Sequence, residues 1–344
     1  MNIWFDLCHI PQYNFYKWVI CKCAEDGHNV YVTLLYRGKL AKIVNKEIGG
    51  LNNITIDVVG HHKSTKWSAI IEANLLRNFQ LIHWARKKKI DIGFSNGYQL
   101  AFISWLKRFP SYSFGDDPQT IDYRPKIWFN KECNYCIYKY NKKLSPKAHI
   151  LPVLKEWAYL APGYFEPDVT ALEEYGVKPK EYIFLREVSV GTVNYAGQAY
   201  GAILNIKDLI PKDKKVLFSL EDKSKRDLYP SDWILLQEPI KDIHSLIYYS
   251  AGLISSGDSM AREAALLGVP SYYLGIRYDM PANAAAHEVA GLQNAKTMDV
   301  SKWIELISKQ LCSQEEIRGK VSGTFIDINS YMLALCRAQK SVLE

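Results

Sequence analysis

Residues 252–273 constrain the fold of this chain more than any other part of its sequence. The apolar run Gly252-Leu253-Ile254-Ser255 predicts a buried strand, which ends in a turn of small residues at Ser256-Gly257. An alanine-rich helix is expected to begin at this turn. It should end at Gly268, which suits the left-handed position after a helix, and Pro270 then opens another strand. This order of elements is typical of α/β proteins with a parallel sheet.

The turn at Gly257 is also a candidate site for an anion. Free backbone N–H groups and the positive end of a helix dipole both point at a ligand placed there. Many α/β proteins nevertheless contain a similar turn and bind nothing, so the spacing alone leaves both interpretations open. Glu263 likewise fits either a ligand-binding residue or an acidic residue near a helix start.

Composition limits the class of protein. A chain of 344 residues is long enough for two domains, and its 48% apolar and 23% charged residues predict a folded globular protein. The net charge of +7 favours anionic partners: nucleotides, phospholipid surfaces or nucleic acid. The sequence shows no membrane-spanning run and no signal-like N-terminus, so we expect a cytoplasmic protein. The spacing of the seven cysteines predicts neither a structural zinc site nor a disulfide.

Apolar runs alternate with helical patterns in both halves of the chain, which predicts right-handed βαβ units and parallel sheets. Predicted strands cover residues 3–5, 30–33, 54–59, 91–94, 111–114, 182–185, 216–220, 233–236, 253–255 and 271–274. Predicted helices cover residues 13–26, 68–89, 97–107, 242–249, 282–290, 301–311 and 327–342. A segment rich in Pro and Gly near residue 160 predicts a linker.

Residues 123–140 interleave aromatic side chains with Lys and Arg. Such a pattern is found where bases stack or where a protein touches a membrane interface. It is also found in a pair of short strands joined by a loop, and the sequence favours this second interpretation.

Polar residues follow several predicted strands of the first half, where ligands of α/β proteins bind. Asp6 and His9 follow the first strand, in a loop without the glycine fingerprint of dinucleotide sites. His61 and His62 follow the third, and their adjacent side chains favour contact with a hydroxylated or anionic ligand over a shared metal. Asp116 follows the fifth. Asp6, His9 and Asp116 are each candidates to accept a proton from a hydroxyl group.

Arg186 follows the first strand of the second half and is expected to lie opposite the alanine-rich helix. A guanidinium group makes paired hydrogen bonds to phosphate oxygens. The chain contains no Asp-x-Asp triplet, which would favour a divalent metal on a diphosphate. We therefore expect a metal-free site in which Arg186 and the helix dipole stabilise the anion.

The sequence resembles domain-of-unknown-function family 354, a set of archaeal and bacterial proteins related to GT-B glycosyltransferases. The usual Gly-Gly-Thr-Met of that family stands here as Gly257-Asp258-Ser259-Met260, so an acidic residue is expected beside the phosphate site. The similar stretches are Ile3-Trp4-Phe5-Asp6, residues 25–33, Glu156-Trp157-Ala158-Tyr159-Leu160, Phe165-Glu166-Pro167-Asp168, Tyr182-Ile183-Phe184-Leu185-Arg186 and the alanine-rich helix.

The second half is also similar to the nucleotide-sugar domain of the lipid-linked N-acetylglucosaminyl transferases of peptidoglycan synthesis. The resemblance implies that a backbone group near Ile240 reads the base, that Ser259 lies at the donor phosphates, and that Glu263 binds the ribose. It also implies that residues 278–283 approach the donor sugar. The expected donor-binding residues are Arg186, Ile240, Gly257, Ser259, Met260, Glu263 and Asn283, and the expected acceptor-binding residues are Gln12, His61 and His62.

The resemblance implies an α/β protein of the GT-B fold, with two Rossmann-like parallel-sheet domains facing a central cleft. The expected acceptor domain covers residues 1–160 and the donor domain residues 161–326. The helix in residues 327–344 is expected to pack back on the first domain. The activity implied is transfer of a sugar from a nucleoside-diphosphate sugar, UDP-linked, to a glycan or lipid-linked acceptor of surface polysaccharide synthesis, with no cofactor. The basic charge favours loose contact with the inner membrane face.

Three other interpretations remain open from the sequence. A non-hydrolysing sugar-nucleotide 2-epimerase shares the fold and the glutamate of the alanine-rich helix, but its full set of carboxylates and a histidine has no complete match here. A nucleic-acid-binding protein is suggested by the charge and by residues 123–140. A non-catalytic protein that only binds a sugar nucleotide gains support if Asp258 repels phosphate.

Overall fold

The computed structural model describes residues 1–61, 76–118, 123–190, 197–237, 240–307 and 313–343. The chain forms two compact units. Unit 1 comprises residues Met1–Tyr159 together with Ile326–Glu344, and unit 2 comprises Leu160–Phe325. Within the described residues, no helix is both long and apolar enough to cross a membrane.

Unit 1 contains a seven-stranded sheet in which all paired strands are parallel, in the order β3-β2-β1-β4-β5-β6-β7. The strands are β1 (Asn2–Leu7), β2 (Asn29–Tyr36), β3 (Ile54–His61), β4 (Ile92–Ser95), β5 (Ser111–Gly115), β6 (Glu132–Cys136) and β7 (Ala148–Leu151). The helices between them are α1 (Ile10–Glu25), α2 (Leu40–Ile48), α3 (Arg77–Ala85), α4 (Gln99–Lys107) and α5 (Tyr123–Phe129), and α6 (Trp157–Leu160) follows β7.

The sheet of unit 1 is covered by apolar helix faces because its strands are buried over most of their length. One core cluster joins Trp4 of β1 to Leu81 of α3 and to Leu100 and Ile103 of α4. The rings of Trp4 and Trp84 lie 4.9 Å apart between centroids. Burial on both faces is what a parallel sheet requires, and it explains why these strands have continuous apolar sequences.

Unit 2 contains a second parallel sheet, in the order β10-β9-β8-β11-β12-β13. Its strands are β8 (Tyr182–Glu187), β9 (Lys215–Leu220), β10 (Ile234–Leu235), β11 (Gly252–Ser255), β12 (Ser271–Tyr273) and β13 (Gln293–Asn294). Its helices are α7 (Ile243–Tyr248), α8 (Asp258–Leu266), α9 (Pro281–Ala290), α10 (Val300–Ile307) and α11 (Gln314–Thr324), with 3-10 helices at Val169–Tyr175, Leu204–Leu209 and Lys223–Leu228. This is the strand order of a Rossmann domain.

The chain returns to unit 1 in α12 (Ile328–Leu343). Asn329 donates a hydrogen bond from its side chain to the carbonyl of Ala158 at 2.7 Å, and the Tyr331 hydroxyl lies 3.2 Å from Oδ1 of Asn134. Met332 and Cys336 are buried on the same helix. The final helix therefore contributes directly to the core of unit 1.

The structure corrects several predicted elements. The first part of residues 123–140 is the helix α5, where the sequence predicted a strand, and Pro125 lies in its first turn, where proline is tolerated. The helices α2 and α11 and the strand β7 were not predicted, although Ser313 and Glu316 form a capping box before α11. The helix predicted at 68–89 corresponds to α3, and residues 68–75 lie outside the described residues. The helix predicted at 301–311 corresponds to α10, and residues 308–311 likewise lie outside the described residues.

Candidate functional site

Each sheet reverses its strand order at one point, and this point is where open α/β sheets bind ligands. In unit 2 the reversal lies between β8 and β11, and in unit 1 it lies between β1 and β4. The residues that follow these strands therefore define a candidate site in each unit.

In unit 2, the turn after β11 is held by the side chains of two serines. The Ser255 hydroxyl accepts a hydrogen bond from the Gly257 N–H at 3.0 Å and donates to the Gly257 carbonyl at 2.7 Å. The Ser256 hydroxyl accepts from the Val188 N–H at 2.9 Å, which ties the turn to the end of β8. Gly257 is the N-cap of α8, with φ of −106° and ψ of 137°, and makes no side-chain cap. Because glycine has no side chain, the N-cap residue itself makes no capping hydrogen bond to the first N–H groups of α8.

Asp258, the acidic residue beside this turn, is buried and paired with two arginines. Its Oδ2 lies 3.3 Å from Nη1 of Arg277 and 3.5 Å from Nη1 of Arg262. The two guanidinium groups offset the negative charge of the Asp258 carboxylate at the start of α8.

Asn283 fixes the position of this arginine pair. Its side chain, which is fully buried, accepts a hydrogen bond from Nη1 of Arg262 at 2.7 Å and donates one to the carbonyl of Arg277 at 2.6 Å. The resemblance implied contact between Asn283 and the donor sugar, and this stays a prediction. In the structure, its oxygen and its nitrogen each bind a protein group.

Glu263 lies one turn along α8 from Ser259. Its Oε2 is 3.6 Å from Nε2 of His244, a residue of α7, and both side chains are largely buried. The ring of Phe165 meets the His244 ring at 6.1 Å between centroids. This pairing holds the carboxylate of Glu263 against α7.

Arg186 makes its side-chain contacts with β9. Its guanidinium donates to the Ser219 hydroxyl at 2.9 Å and forms a short ion pair with Glu221. In the sheet, β9 and β11 lie on opposite sides of β8. The guanidinium group of Arg186 therefore contacts the strand on the far side of β8 from the turn at Gly257, while its backbone carbonyl accepts a hydrogen bond from the Ser256 N–H at 3.0 Å.

The other expected donor residues differ in exposure. Ser259 is half-buried at the start of α8, and Met260 is buried. Ile240 is half-buried and directly follows residues 238–239, which lie outside the described residues.

In unit 1, Asp6 is buried within β1 and held in an ion pair. Its two oxygens accept hydrogen bonds from Nη1 and Nη2 of Arg77 at 3.0 and 2.6 Å, and Oδ1 also accepts from the Thr33 hydroxyl at 2.6 Å. Arg77 is itself buried and donates from Nε to the Val59 carbonyl. A carboxylate with this many donors is poorly placed to take a proton from a substrate.

His9, by contrast, has a ring nitrogen without a hydrogen-bond partner among the described residues. It is the N-cap of α1, and this nitrogen is its buried Nδ1. The pKa of His9 is lowered from 6.5 to about 4, chiefly by burial and also by the positive charges of Lys155 and Arg37, and Asp116 opposes this shift. The imidazole is therefore neutral at physiological pH.

Asp116 lies in the same group of charges. Its Oδ2 is 3.0 Å from Nζ of Lys155, and both side chains are partly exposed. His9 follows β1, Asp116 follows β5 and Lys155 follows β7, so the carboxyl ends of three parallel strands bring them together. The sequence predicted His9 and Asp116 separately, and the structure places both in one electrostatic cluster.

The expected acceptor-binding residues are spread over the same edge of the sheet. Gln12 is buried and accepts a hydrogen bond from the Cys8 N–H at 2.6 Å, which closes the first turn of α1. His61 ends β3 and is exposed, with its ring 5.3 Å from that of Tyr36. His62 lies outside the described residues.

Sequence reasoning missed Arg277, Lys155 and Arg37. Arg277 follows β12 and Arg37 follows β2, so their position after a strand was the available signal. Lys155 carried no such signal because β7 was not predicted. Within the described residues, no group of three or more His, Cys, Asp or Glu side chains is arranged to hold a metal ion.

Comparison with known proteins was made by family, by sequence and by structure. No family model and no curated protein matches this chain. Solved structures do match over nearly the whole chain. The chain has the GT-B fold. The resemblance to domain-of-unknown-function family 354 therefore remains a resemblance, within a fold that is now established.

Three solved structures illustrate the similarity. The UDP-GlcNAc 2-epimerase from Neisseria meningitidis, bound to UDP-GlcNAc, has a TM-score of 0.63 at 13% identity and covers 97% of this chain and 98% of its own. The spinosyn rhamnosyltransferase complexed with thymidine diphosphate has a TM-score of 0.65 at 10% identity, covering 97% and 100%. The glycotransferase of kitacinnamycin has a TM-score of 0.65 at 9% identity, covering 98% of each chain.

Proposed function

We propose that the protein is a glycosyltransferase that moves a sugar from a nucleoside-diphosphate sugar to a glycan or lipid-linked acceptor. The observation that carries the proposal is the start of α8. Its N–H groups lie at the strand reversal of unit 2, where Arg262 and Arg277 are ion-paired with Asp258, the first residue of α8. Sugar-nucleotide enzymes with this fold, including both transferases and epimerases, are the structural neighbours.

The donor binds unit 2 in this proposal. Backbone N–H groups at residues 258–260 and the cation of Arg277 stabilise the diphosphate, while the Gly257 N–H is held by the Ser255 hydroxyl. Glu263, held by His244, accepts hydrogen bonds from the ribose hydroxyls. Ile240 contacts the base, and the donor nucleotide that we propose is UDP. Asn283 acts by holding the arginines, and Arg186 by supporting the neighbouring strand ends.

His9 is the proposed base in unit 1. Its neutral ring takes the proton from an acceptor hydroxyl as the hydroxyl oxygen bonds to the anomeric carbon of the sugar. The bond from that carbon to the diphosphate breaks, and the diphosphate leaves with the electron pair. Asp116 supports the imidazolium that forms. Asp6 is assigned a structural role because Arg77 and Thr33 occupy its oxygens.

The acceptor is proposed to bind along the carboxyl edge of the sheet of unit 1, near His61 and the turn that Gln12 closes. Contact with His62 stays a prediction from the sequence. We place the reaction in surface polysaccharide synthesis, in the cytoplasm and without a metal cofactor. The diphosphate charge is instead balanced by the start of α8 and by Arg277.

The first test is calorimetric titration of the protein with UDP, TDP, GDP and their sugars, comparing the wild type with Glu263→Gln. The amide keeps the size of the side chain but loses its charge, so we expect at least about tenfold weaker binding of the preferred nucleotide. The matched control is Glu173→Gln, an exposed residue of the 3-10 helix Val169–Tyr175, which should bind as the wild type does. Failure of every nucleotide to bind, or full binding by Glu263→Gln, would contradict the donor site.

An epimerase is the second candidate, because UDP-GlcNAc 2-epimerases are among the structural neighbours. An epimerase interconverts sugar nucleotides with no acceptor present. Incubation of the protein with its sugar nucleotide and no acceptor, followed by proton NMR, distinguishes an epimerase from a transferase. Appearance of the 2-epimer without an acceptor would replace the transferase proposal, whereas a stable donor that reacts only with an added acceptor supports it.

A further inference from the structure

Basic residues outnumber acidic ones at the amino-terminal edge of the sheet of unit 1, where Asp91 and Glu132 also lie. Four neighbouring parallel strands, β4 to β7, begin at this edge, and a basic residue closely precedes each of them. These residues, in strand order, are Lys89, Arg108, Lys131 and Lys147, and all four are exposed. Because the strands are parallel, the cluster of His9 and Asp116 lies at the opposite edge. The basic edge is therefore separate from the site proposed above.

The basic edge also carries exposed apolar side chains. An open groove of about 670 Å³ runs between the ends of α4 and α5, lined by residues 104–106, 108–111, 128–131 and 147. On its rim, Trp105 is 58% exposed, Leu106 46% and Trp128 65%. Large apolar side chains grouped on a surface mark sites of interaction with a partner or a membrane.

Part of the positive charge has an explanation within the fold. Lys107 donates to the carbonyls of Ala85 and Lys88, and Lys147 donates to those of Trp128 and Asn130, so both cap helix ends. This capping does not explain why other exposed cations gather on the same edge. They are Arg86, Lys87, Lys89, Arg108 and Lys131. No acidic residue stands among the residues that line the groove.

We propose that the basic edge docks on an anionic phospholipid surface. Tryptophan side chains settle at the boundary between lipid headgroups and acyl chains, and nearby lysines and arginines reach the phosphates. Clusters of four to eight cations are a sign of binding to anionic lipid. Trp105, Leu106 and Trp128 are the apolar anchors, and Arg108 and Lys131 beside them supply charge. Docking here leaves the carboxyl edge of the sheet uncovered, so lipid binding and nucleotide binding are separable.

The test is co-sedimentation of the full chain with vesicles of phosphatidylcholine, with and without phosphatidylglycerol. The wild type should bind only the anionic vesicles, with a blue shift of its tryptophan fluorescence, and added salt should weaken binding. Arg108→Glu with Lys131→Glu should bind about 30-fold more weakly, since each cation near an anionic surface contributes severalfold to the affinity. The matched control is Lys42→Glu with Lys46→Glu on the exposed face of α2, which should bind as the wild type does.

A second pair of variants tests the anchors. Leu106→Ser with Trp128→Ser should reduce vesicle binding about tenfold and diminish the blue shift. Phe79→Ser is the control, because Phe79 is 68% exposed near the start of α3, away from the groove. All variants should keep the thermal unfolding and the nucleotide binding of the wild type, which separates this proposal from the donor site.

Three results would overturn the proposal. The first is a wild type that does not bind anionic vesicles. The second is an equal loss of vesicle binding in the Arg108/Lys131 variant and in its α2 control, which would mean that the net charge of the protein, and not the basic edge, determines binding. The third is tighter binding of single-stranded RNA or of a soluble acidic glycan than of the vesicles, which would assign the groove to that ligand.

Discussion

At the scale of single residues, the chemistry of each candidate depends on what surrounds it. Asp6 and His9 are three positions apart, and the sequence made both candidates for the same base. The structure separates them: Arg77 holds both oxygens of Asp6, whereas Nδ1 of His9 has no hydrogen-bond partner in the part of the chain that the structure describes. The difference arises from a contact with a residue 71 positions away along the chain from Asp6.

The lowered pKa of His9 predicts how stability depends on pH. Above pH 6.5 the histidine is neutral in both the folded and the unfolded chain. As the pH falls from 6.5 toward 4, the unfolded chain binds a proton that the folded protein does not, so stability is lost through this window and levels off below about 4. The loss between pH 7 and pH 5 is about 2 kcal/mol.

His9→Gln should remove this acid sensitivity. Urea unfolding at pH 7 and at pH 5 measures this sensitivity as a loss of unfolding free energy. The control is His149→Gln, because His149 is exposed, and this variant should lose as much stability between the two pH values as the wild type. An unchanged pH dependence in His9→Gln would contradict the burial of a neutral ring. In activity assays, the wild type should stay active well below pH 6.5, since the base loses its proton acceptor only near pH 4.

Asp6→Asn should primarily unfold the protein. The substitution leaves the buried Arg77 without its counter-charge, and breaking a buried pair in this way costs about 3–5 kcal/mol. Urea unfolding measures the loss, and Asp6→Leu with Arg77→Met, which removes both charges, should recover part of it. A variant Asp6→Asn with wild-type stability but no turnover would restore Asp6 as a candidate base.

At the scale of elements, Gly268 explains how α8 ends. Its φ is +73°, in the left-handed region, as its place after the helix predicted. A Cβ there would lie 2.5 Å from the backbone carbonyl oxygen of Gln314 at the start of α11. The glycine therefore ends one helix and makes room for another that is 46 positions further along the chain.

Gly268→Ala should destabilise the protein by about 2 kcal/mol or more, through the strained φ and the contact with α11. Gly319→Ala is the matched control. Gly319 lies within α11 with nothing near its Cβ position, so alanine there should raise stability by about 0.5–1 kcal/mol. Chemical unfolding of both variants gives the comparison, and equal effects would show that the contact with Gln314 is absent.

At the scale of the whole molecule, unit 1 is completed by the end of the chain. Ile328, Asn329, Met332 and Cys336 of α12 are buried in a unit whose other residues end at Tyr159. The fold of unit 1 therefore depends on a segment that is synthesised only after all of unit 2.

Deletion of residues 326–344 should lower the melting temperature of unit 1 by many degrees, because it exposes the apolar face that α12 covers. Deletion of residues 341–344 is the control, since residues 341–343 are exposed. Differential scanning calorimetry should resolve an early transition only in the longer deletion, and nucleotide binding by unit 2 should persist in both. A single unchanged transition in the longer deletion would show that α12 is dispensable.

Much of the fold could be predicted from local sequence. Strands such as β1, β8 and β11 have continuous apolar sequences because a parallel sheet is buried on both faces, and the alternation with helices predicts the parallel arrangement. Elements with weaker periodicity were not predicted correctly from the sequence. The strand β7 is short and only partly buried, and α5 has an aromatic sequence that suits a strand equally well.

The sequence by itself determined the α/β class, the turn at Gly257 and the small set of polar residues after the strands, because these depend on neighbours along the chain. Tertiary structure decided which of those residues are free to act. It pairs Asp6 with Arg77, Asp258 with Arg262 and Arg277, and Arg186 with Glu221. The contact of Asp258 with Arg262 lies within one helix, at i,i+4, and each of the other contacts joins separate elements. Because a charge is neutralised by groups near it in space, only the tertiary structure could decide these pairings.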